Sequence, residues 1–293
     1  MLRRALHRPV AGRLRSLCSA ATVRAEHNRF YDRRDTNFVL HELEKMPSED
    51  AAAIIDSCEA FVNQWAHVDP FLDRNPPKMV PGAETSDGLA AVTSPKEMHT
   101  LISAFQEQGF VQLPELGLPF AVQCAASATL ASAFTSSPFG YFVLTRCAAD
   151  LLDNHGSDEL KAEYLPKLRS GEWMGTMALS EPHAGSSLGN IRTIATPYAE
   201  ADARPGEVRI RGDKMWTTGA FHDVSGNIIH MLLARLPGAP EGAITLCLVP
   251  NVLPDGSKND VELVSLNKKM GHKAITNWYA LRRMLCGTPL CCA

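Results

Sequence analysis

Two stretches decide how this chain folds. The first is Met177-Ala-Leu-Ser-Glu-Pro-His-Ala-Gly-Ser186, continued by Ser187-Leu-Gly-Asn-Ile-Arg-Thr193. The second, about thirty residues on, is Gly212-Asp-Lys-Met-Trp-Thr-Thr-Gly219. The first places a turn rich in glycine and hydroxyl side chains directly after a strand. Pro182 removes one backbone donor there, and Gly185 lets the main chain approach a ligand closely. Successive backbone N–H groups in such a turn can cradle an anion such as a pyrophosphate. Gly/Ser turns after strands are also common as plain structure.

In the second stretch Trp216 sits in a polar turn between Arg211 and Phe221. A tryptophan there is either a core residue or a wall against an aromatic ring. In the second case Thr217 and Thr218 can donate to ring heteroatoms. A ring nitrogen that receives a hydride needs a nearby hydrogen bond to hold its electronic state. An anion cradle followed by an aromatic wall with two hydroxyls points to a flavin.

Outward from these stretches the periodicity changes once, at Glu172. Before it the pattern is helical. Ser48-Glu-Asp opens a segment with Ile54, Ile55, Cys58, Phe61, Val62 and Trp65 on one face, its acids complementing the helix N-terminus. Pro70 to Pro81 is proline-punctuated loop. Ser94-Pro95-Lys-Glu97 reads as a hydroxyl-capped helix start, with Met98, Leu101, Ile102 and Phe105 as its stripe and Gly109 as its stop. Pro119 to Phe134 is almost free of charge, so it is expected to be buried on all sides. Further helices follow Pro138 and start at Ser157, where Leu160, Tyr164, Leu165 and Leu168 face inward before Gly171.

After Glu172 the segments 173–179, 191–196, 208–211, 228–236, 243–249 and 261–265 read as strands separated by Gly, Pro, Asp and Asn. The expected fold class is α+β: an N-terminal all-α helical domain followed by an antiparallel β-barrel-like domain. The expected boundaries are a leader over 1–34, a helical domain over 35–172, a β domain over 173–277 and a separate tail over 278–293.

The net charge of −3 argues against a nucleic-acid partner. It also hides an asymmetry, because residues 1–25 carry six arginines and no acid. Leu2, Leu6, Val10, Leu14 and Leu17 mark one helical face of that leader. Arg-rich, acid-free and amphipathic is the pattern of a mitochondrial transit peptide, and matrix localisation is the expectation. A basic tail without targeting function is the alternative. No run of about 20 apolar residues exists to span a membrane. The eight cysteines contain no Cys-x-x-Cys pair. Cys58, Cys124 and Cys147 fall in helical patterns and Cys247 in a strand, so buried small apolar residues are expected rather than a metal site.

The two stretches resemble the acyl-CoA dehydrogenases. The family pattern Thr/Ser-Glu-Pro-x-Ala-Gly-Ser matches Ser180-Glu-Pro-His-Ala-Gly-Ser186, and Lys-x-Trp-Ile/Thr-Thr/Ser matches Lys214-Met-Trp-Thr-Thr218. The approach from His155 to Trp173 is equally similar, and the resemblance runs from about Asp35 to Asn277. Phe221-His-Asp and Asn227 to Gly242 look like the larger bacterial-type branch.

The resemblance implies FAD, an acyl-CoA substrate, a place in fatty acid β-oxidation, an electron-transferring flavoprotein as acceptor, and homo-oligomers. Met177, Leu179, Ser180, Gly185 and Ser186 would line the flavin and its ribityl-phosphate arm, and Ser186 would also reach the acyl-CoA. Trp216 would pack on the ring, with Thr217 and Thr218 as hydroxyl partners and Thr218 near N5. Ser187 departs from the aspartate common at that position.

Family enzymes take their proton-abstracting glutamate from a C-terminal helical bundle. Here the family-like text ends near Trp278, and the stretch from Tyr279 to Ala293 has no recognised counterpart. The expectation is therefore a C-terminally truncated chain with impaired activity. Glu181, His183, His222 and Asp223 are weighed as substitute bases, and structural roles are preferred for each, so no catalytic residue is assigned. A non-catalytic FAD- or acyl-CoA-binding fragment, or a flavin oxidase or monooxygenase on the same scaffold, remain the alternatives. Acyl chain length is not legible.

Overall fold

A computed structural model describes residues 48–84, 90–198, 206–240, 242–280 and 285–290. The arginine-rich leader and residues 291–293 lie outside the described residues. Among the described residues six α-helices come first: α1 Ser48–Trp65, α2 Asp69–Arg74, α3 Lys96–Glu107, α4 Phe120–Ser132, α5 Gly140–His155 and α6 Asp158–Ser170. A hairpin of β1 Lys78–Glu84 and β2 Ala90–Thr93 interrupts them. The remaining strands are β3 Met174–Ala178, β4 Ile194–Pro197, β5 Val208–Arg211, β6 Lys214–Thr218, β7 Ile228–Ala234, β8 Thr245–Pro250, β9 Ser265–Leu266, β10 Asn277–Ala280 and β11 Leu285–Pro289.

The helical half is built around aromatic packing. Phe61 of α1 meets Phe105 and Phe110 edge-on, at centroid distances of 5.8 and 5.2 Å. Phe105 stacks on Phe139 and Phe142. The apolar stripes predicted for α1, α3 and α6 are the buried faces. The Ser157 hydroxyl caps α6 by accepting from Leu160 N at 3.3 Å. Asp69 ties α2 to the turn after α4, accepting from the backbone N–H and hydroxyl groups of Thr135 and Ser136.

Several local expectations change. The segment from Pro70 to Pro81 is not all loop: Pro70 sits in the first turn of α2, where its missing N–H is harmless, and β1 begins at Lys78. Helix α3 starts on Pro95 with no side-chain cap, because Ser94 instead gives its backbone N–H to the Asp223 carboxylate. Helix α4 is buried on one face only. Val122, Ala126 and Leu130 face inward, while Phe120 is 79% exposed. Cys124 and Cys147 are exposed, whereas Cys58 and Cys247 are buried; burial pushes both of those thiols up to about 12.

The fold is α+β in the expected order, but the β half is not a closed barrel among the described residues. A six-stranded sheet runs β3-β7-β8-β11-β5-β4, and a three-stranded sheet runs β6-β10-β9. The larger sheet curls: Ala195 N donates to Arg235 O and Arg235 N to Thr193 O, both at 2.8 Å, bringing the edge at β4 back to the end of β7 without a continuous ladder. One pair also departs from the antiparallel expectation. Strands β3 and β7 are parallel, in register from Met174↔Ile228 to Ala178↔Leu232. Parallel neighbours need a long crossover, which the intervening β4–β6 segment supplies.

Close packing at two glycines holds the sheet against its neighbours. Helix α5 lies hard against β3 at Gly175, where an added Cβ would fall 2.4 Å from the Ala148 Cβ; Gly175 N donates to Thr145 Oγ1 at 2.9 Å. Strand β11, from the stretch with no recognised counterpart, sits between β8 and β5. Its Gly287 is wedged against Val249 and Ile210, with no room for a Cβ.

Candidate functional site

The two stretches that decide the fold meet at a buried ion pair. Lys214, the first residue of β6, places Nζ 3.0 Å from Glu181 Oε1, with the two side chains 1% and 2% exposed. Nζ also donates to Leu179 O at 3.0 Å. The same carboxylate accepts from Arg192 N at 2.7 Å, Thr193 N at 3.0 Å and Thr193 Oγ1 at 2.5 Å. Burial works to raise the Glu181 carboxyl. The Thr193 hydroxyl, the two backbone N–H groups and the Lys214 charge outweigh it, so the group is held below its ordinary value. Burial lowers the Lys214 amine against the pull of Glu181. Met215 N donates to Ser180 O at 2.9 Å, completing the seam between the turn after β3 and strand β6.

Glu181 thereby closes the turn from within. Its backbone exchanges two hydrogen bonds with Ala184, at 2.8 and 3.0 Å, which pushes Gly185, Ser186 and Ser187 into solvent. The backbone N–H groups of those three residues donate to no acceptor among the described residues. Nothing lies within 4 Å of the position a Gly185 Cβ would take. This row of free donors suits an oxyanion. An open groove of about 710 Å³ flanks the turn and is lined by His183, Asn190, Arg192 and Arg235.

Trp216 is not in a turn. It belongs to β6, and its placement follows from a bulge. Strand β10 pairs Asn277 with Thr218 and Trp278 with Thr217, then skips to pair Tyr279 with Met215, so Trp216 has no partner. Its φ is +62°, in the left-handed region that a bulky side chain rarely occupies. The ring is 58% exposed. A core role is therefore excluded. Bulges beside sites commonly re-aim one side chain, and this one turns an indole outward.

The other candidate residues divide. Leu179, Ser180 and Thr218 are half-buried near the seam, whereas Met177 packs on the cluster that β7 and β8 form with α5 and α6. Thr217 is buried, and its Oγ1 has no hydrogen-bond partner, so it does not share the exposed surface of Trp216. Thr218 Oγ1 accepts from Asn277 Nδ2 at 3.0 Å. Sequence reasoning assigns no role to Lys214 or Asn277. Lys214 stands inside the quoted motif, but no sequence signal marks Asn277.

The substitute bases are committed elsewhere. Glu181 is held in the ion pair. His222 is half-buried and pushed down to about 3, mainly by desolvation. Asp223 accepts from Ser94 N and lies 3.2 Å from His99 Nε2. His183 is exposed, with Nε2 3.2 Å from Asn190 O. Among the described residues, no group of three His, Cys, Asp or Glu side chains forms a metal cluster. No described helix is long and apolar enough to cross a membrane.

Residues 76–172 match the family described as acyl-CoA dehydrogenase, N-terminal domain. The chain is 38% identical over 207 residues to the 3-methylmercaptopropionyl-CoA dehydrogenase of Ruegeria pomeroyi, covering 66% of this chain and 34% of that one. It is 33% identical over 267 residues to a butyryl-CoA dehydrogenase of Syntrophomonas wolfei, covering 84% and 43%. The chain thus spans less than half the length of either relative. Among solved structures, Caenorhabditis elegans ACDH-11 in complex with C11-CoA aligns at a TM-score of 0.71 and 19% identity, over 90% of this chain and 46% of that one. A Mycobacterium smegmatis glutaryl-CoA dehydrogenase in complex with FADH2 aligns at 0.60 and 19%, over 87% and 58%. These two structures establish the fold. Residues 76–172 thus carry the N-terminal domain of the acyl-CoA dehydrogenase family.

Proposed function

We propose that the chain is an acyl-CoA dehydrogenase-type flavoprotein segment. It holds FAD against Trp216 and presents an acyl-CoA thioester to it for α,β-dehydrogenation. One observation carries this reading: an exposed, strained indole on β6, locked by a buried ion pair to a turn whose backbone donors are free. A bulky residue held at positive φ is a strained position of the kind that clusters at functional sites. The donor set fits the group. Gly185, Ser186 and Ser187 offer N–H groups to its phosphates, Trp216 offers a stacking face, and Thr218 offers a hydroxyl for a ring nitrogen. Bound FAD supplies the acceptor for the β-hydride. Ser180 and Leu179 would line the ring edge, and Ser186 would serve both the flavin arm and the thioester ligand. Arg192 and Arg235 bring positive charge to the groove beside the turn, which suits a nucleotide phosphate.

The committed states of Glu181, His222 and Asp223 support a second element of the reading. None of these three groups is free to abstract the α-proton, and on this reading the base lies outside the described residues. The FAD-loaded chain alone would then bind acyl-CoA without turnover. Delivery of electrons to an electron-transferring flavoprotein, and assembly into homo-oligomers, belong to the same proposal. A mitochondrial address rests on the composition of residues 1–34. Import of a fusion carrying those residues tests it, and cytosolic retention contradicts it.

The experiment for the function is anaerobic mixing of FAD-loaded chain with saturating acyl-CoA. A perturbed but unbleached flavin spectrum is expected. Rapid bleaching contradicts the external base, and failure to take up FAD contradicts the whole reading.

A further inference from the structure

The bulge that exposes Trp216 also takes its backbone out of the ladder with β10. An unpaired carbonyl at such a position needs a partner. Asn277 provides it: Nδ2 donates to Trp216 O at 3.0 Å and to Thr218 Oγ1 at 3.0 Å. The amide orientation follows from Trp216 O, which can only accept; on the other side Oδ1 accepts from Asn267 Nδ2 at 2.8 Å, and Asn277 O accepts from Asn267 N at 2.7 Å. One side chain, held from the end of β9, therefore commits both its N–H bonds to the two residues that would face a flavin. Thr218 gains a direction from this. Its oxygen is occupied as an acceptor by Asn277, and its own hydrogen meets no acceptor among the described residues. A hydroxyl in that state is a donor aimed outward.

We propose that Asn277 is a positioning residue for the flavin wall, which holds the Trp216 bulge open and fixes the Thr218 hydroxyl as a hydrogen-bond donor to the ring. The proposal rests on the FAD reading above and goes beyond it by assigning a role to a residue outside both motif stretches. The ring nitrogen would receive its hydrogen bond from a hydroxyl whose hydrogen has no competing acceptor among the described residues. Without the amide, Thr218 can rotate and the Trp216 carbonyl competes for water.

The test is FAD titration of the wild-type chain, Asn277→Ala, Asn277→Asp, Thr218→Val, and a double variant combining Asn277→Ala with Thr218→Val. Affinity, the visible flavin spectrum and the flavin midpoint potential are read, with thermal midpoint as the structural control. Asn277→Asp keeps the shape and the bond from Asn267 but removes both donors. Both Asn277 variants should weaken FAD by about tenfold, the scale of one lost hydrogen bond. They should also shift spectrum and potential in the same direction as Thr218→Val. The Asn277 effect should shrink when Thr218 is already valine. Wild-type affinity and spectrum in Asn277→Ala, or fully multiplicative losses in the double variant, overturn the proposal. Should the Asn277 variants fail to fold, an unchanged spectrum in the isosteric Thr218→Val overturns it. A wild-type chain that takes up no FAD sinks the functional reading as well, whereas a yellow wild type with an unaffected Asn277→Ala sinks this inference alone.

Discussion

Lys214 Nζ sits 3.0 Å from Glu181 Oε1 in a space where both side chains are all but dry. This pair joins the turn after β3 to strand β6, so the free donors of Gly185–Ser187 and the indole of Trp216 share one rigid frame. Removing one partner leaves the other charge buried and alone. Lys214→Met and Glu181→Gln should each lose roughly 3–5 kcal/mol in urea unfolding. The combined variant should lose clearly less than the sum, since the second substitution removes the stranded charge. Additive losses would show that the two groups do not depend on each other.

Trp216 adds little to the stability of the strand that carries it. A left-handed backbone costs a bulky residue about 1–2 kcal/mol, and its exposed ring recovers little by burial. Trp216→Gly should therefore stay within about 1 kcal/mol of the wild type in stability, glycine's greater freedom in the unfolded chain offsetting part of the relief. FAD affinity should fall sharply in the same variant. A large loss of stability would mean that the indole packs as core.

Two desolvated histidines, His222 and His230, set an acid limit. Desolvation pushes His222 down to about 3 and His230 to about 4. His230 is bracketed by Thr176 Oγ1 at 2.6 Å and Asn251 Oδ1 at 2.7 Å. Both stay neutral in the fold, whereas the unfolded chain protonates them near an ordinary histidine value of about 6.5. The unfolded state thus binds more protons below that pH, and stability falls as the solution is acidified toward about 4. The slope should approach two protons between about pH 6 and 5. His230→Gln should reduce it toward one. The contribution of Glu181, whose carboxyl is held low, is lost progressively as the pH falls from the ordinary carboxylate range through its lowered value. A flat profile from about pH 7 to 5 would contradict the neutral burial of these rings.

Gly175 sets the distance between α5 and the strand that leads into the turn. Gly175→Ala should cost roughly 1–3 kcal/mol, because its Cβ would overlap the Ala148 Cβ. Ala148→Gly made alongside should recover part of that loss. Equal stability of Gly175→Ala and wild type would mean that α5 can back away freely.

The helices are legible in the sequence because each buries a stripe at helical spacing, as Met98, Leu101, Ile102 and Phe105 do in α3. The strand core is legible where apolar runs are continuous, as in β7 and β8. Three things are not. The parallel pairing of β3 with β7 is a matter of topology, which local pattern does not carry. Strand β6 reads as a turn because Lys214, Thr217 and Thr218 are polar, and only the ion pair and the bulge explain why they pair at all. Strand β11 lacks alternation: Gly287 and Pro289 suggest a turn, yet close packing against Val249 and Ile210 favours the glycine. In the site, motif text finds Glu181 and Trp216 but not their partners' roles. Asn277 is adjacent to Trp216 only through the register of β10 on β6.

The most direct test of the central claim is quenching of tryptophan fluorescence during FAD titration. The chain has four tryptophans, and Trp216, at 58%, is the one most exposed among the described residues. A flavin stacked on the β6 bulge should quench saturably at one FAD per chain, and most of that quenching should disappear in Trp216→Phe. Saturable binding with quenching unchanged in Trp216→Phe, or no binding at all, would contradict the account.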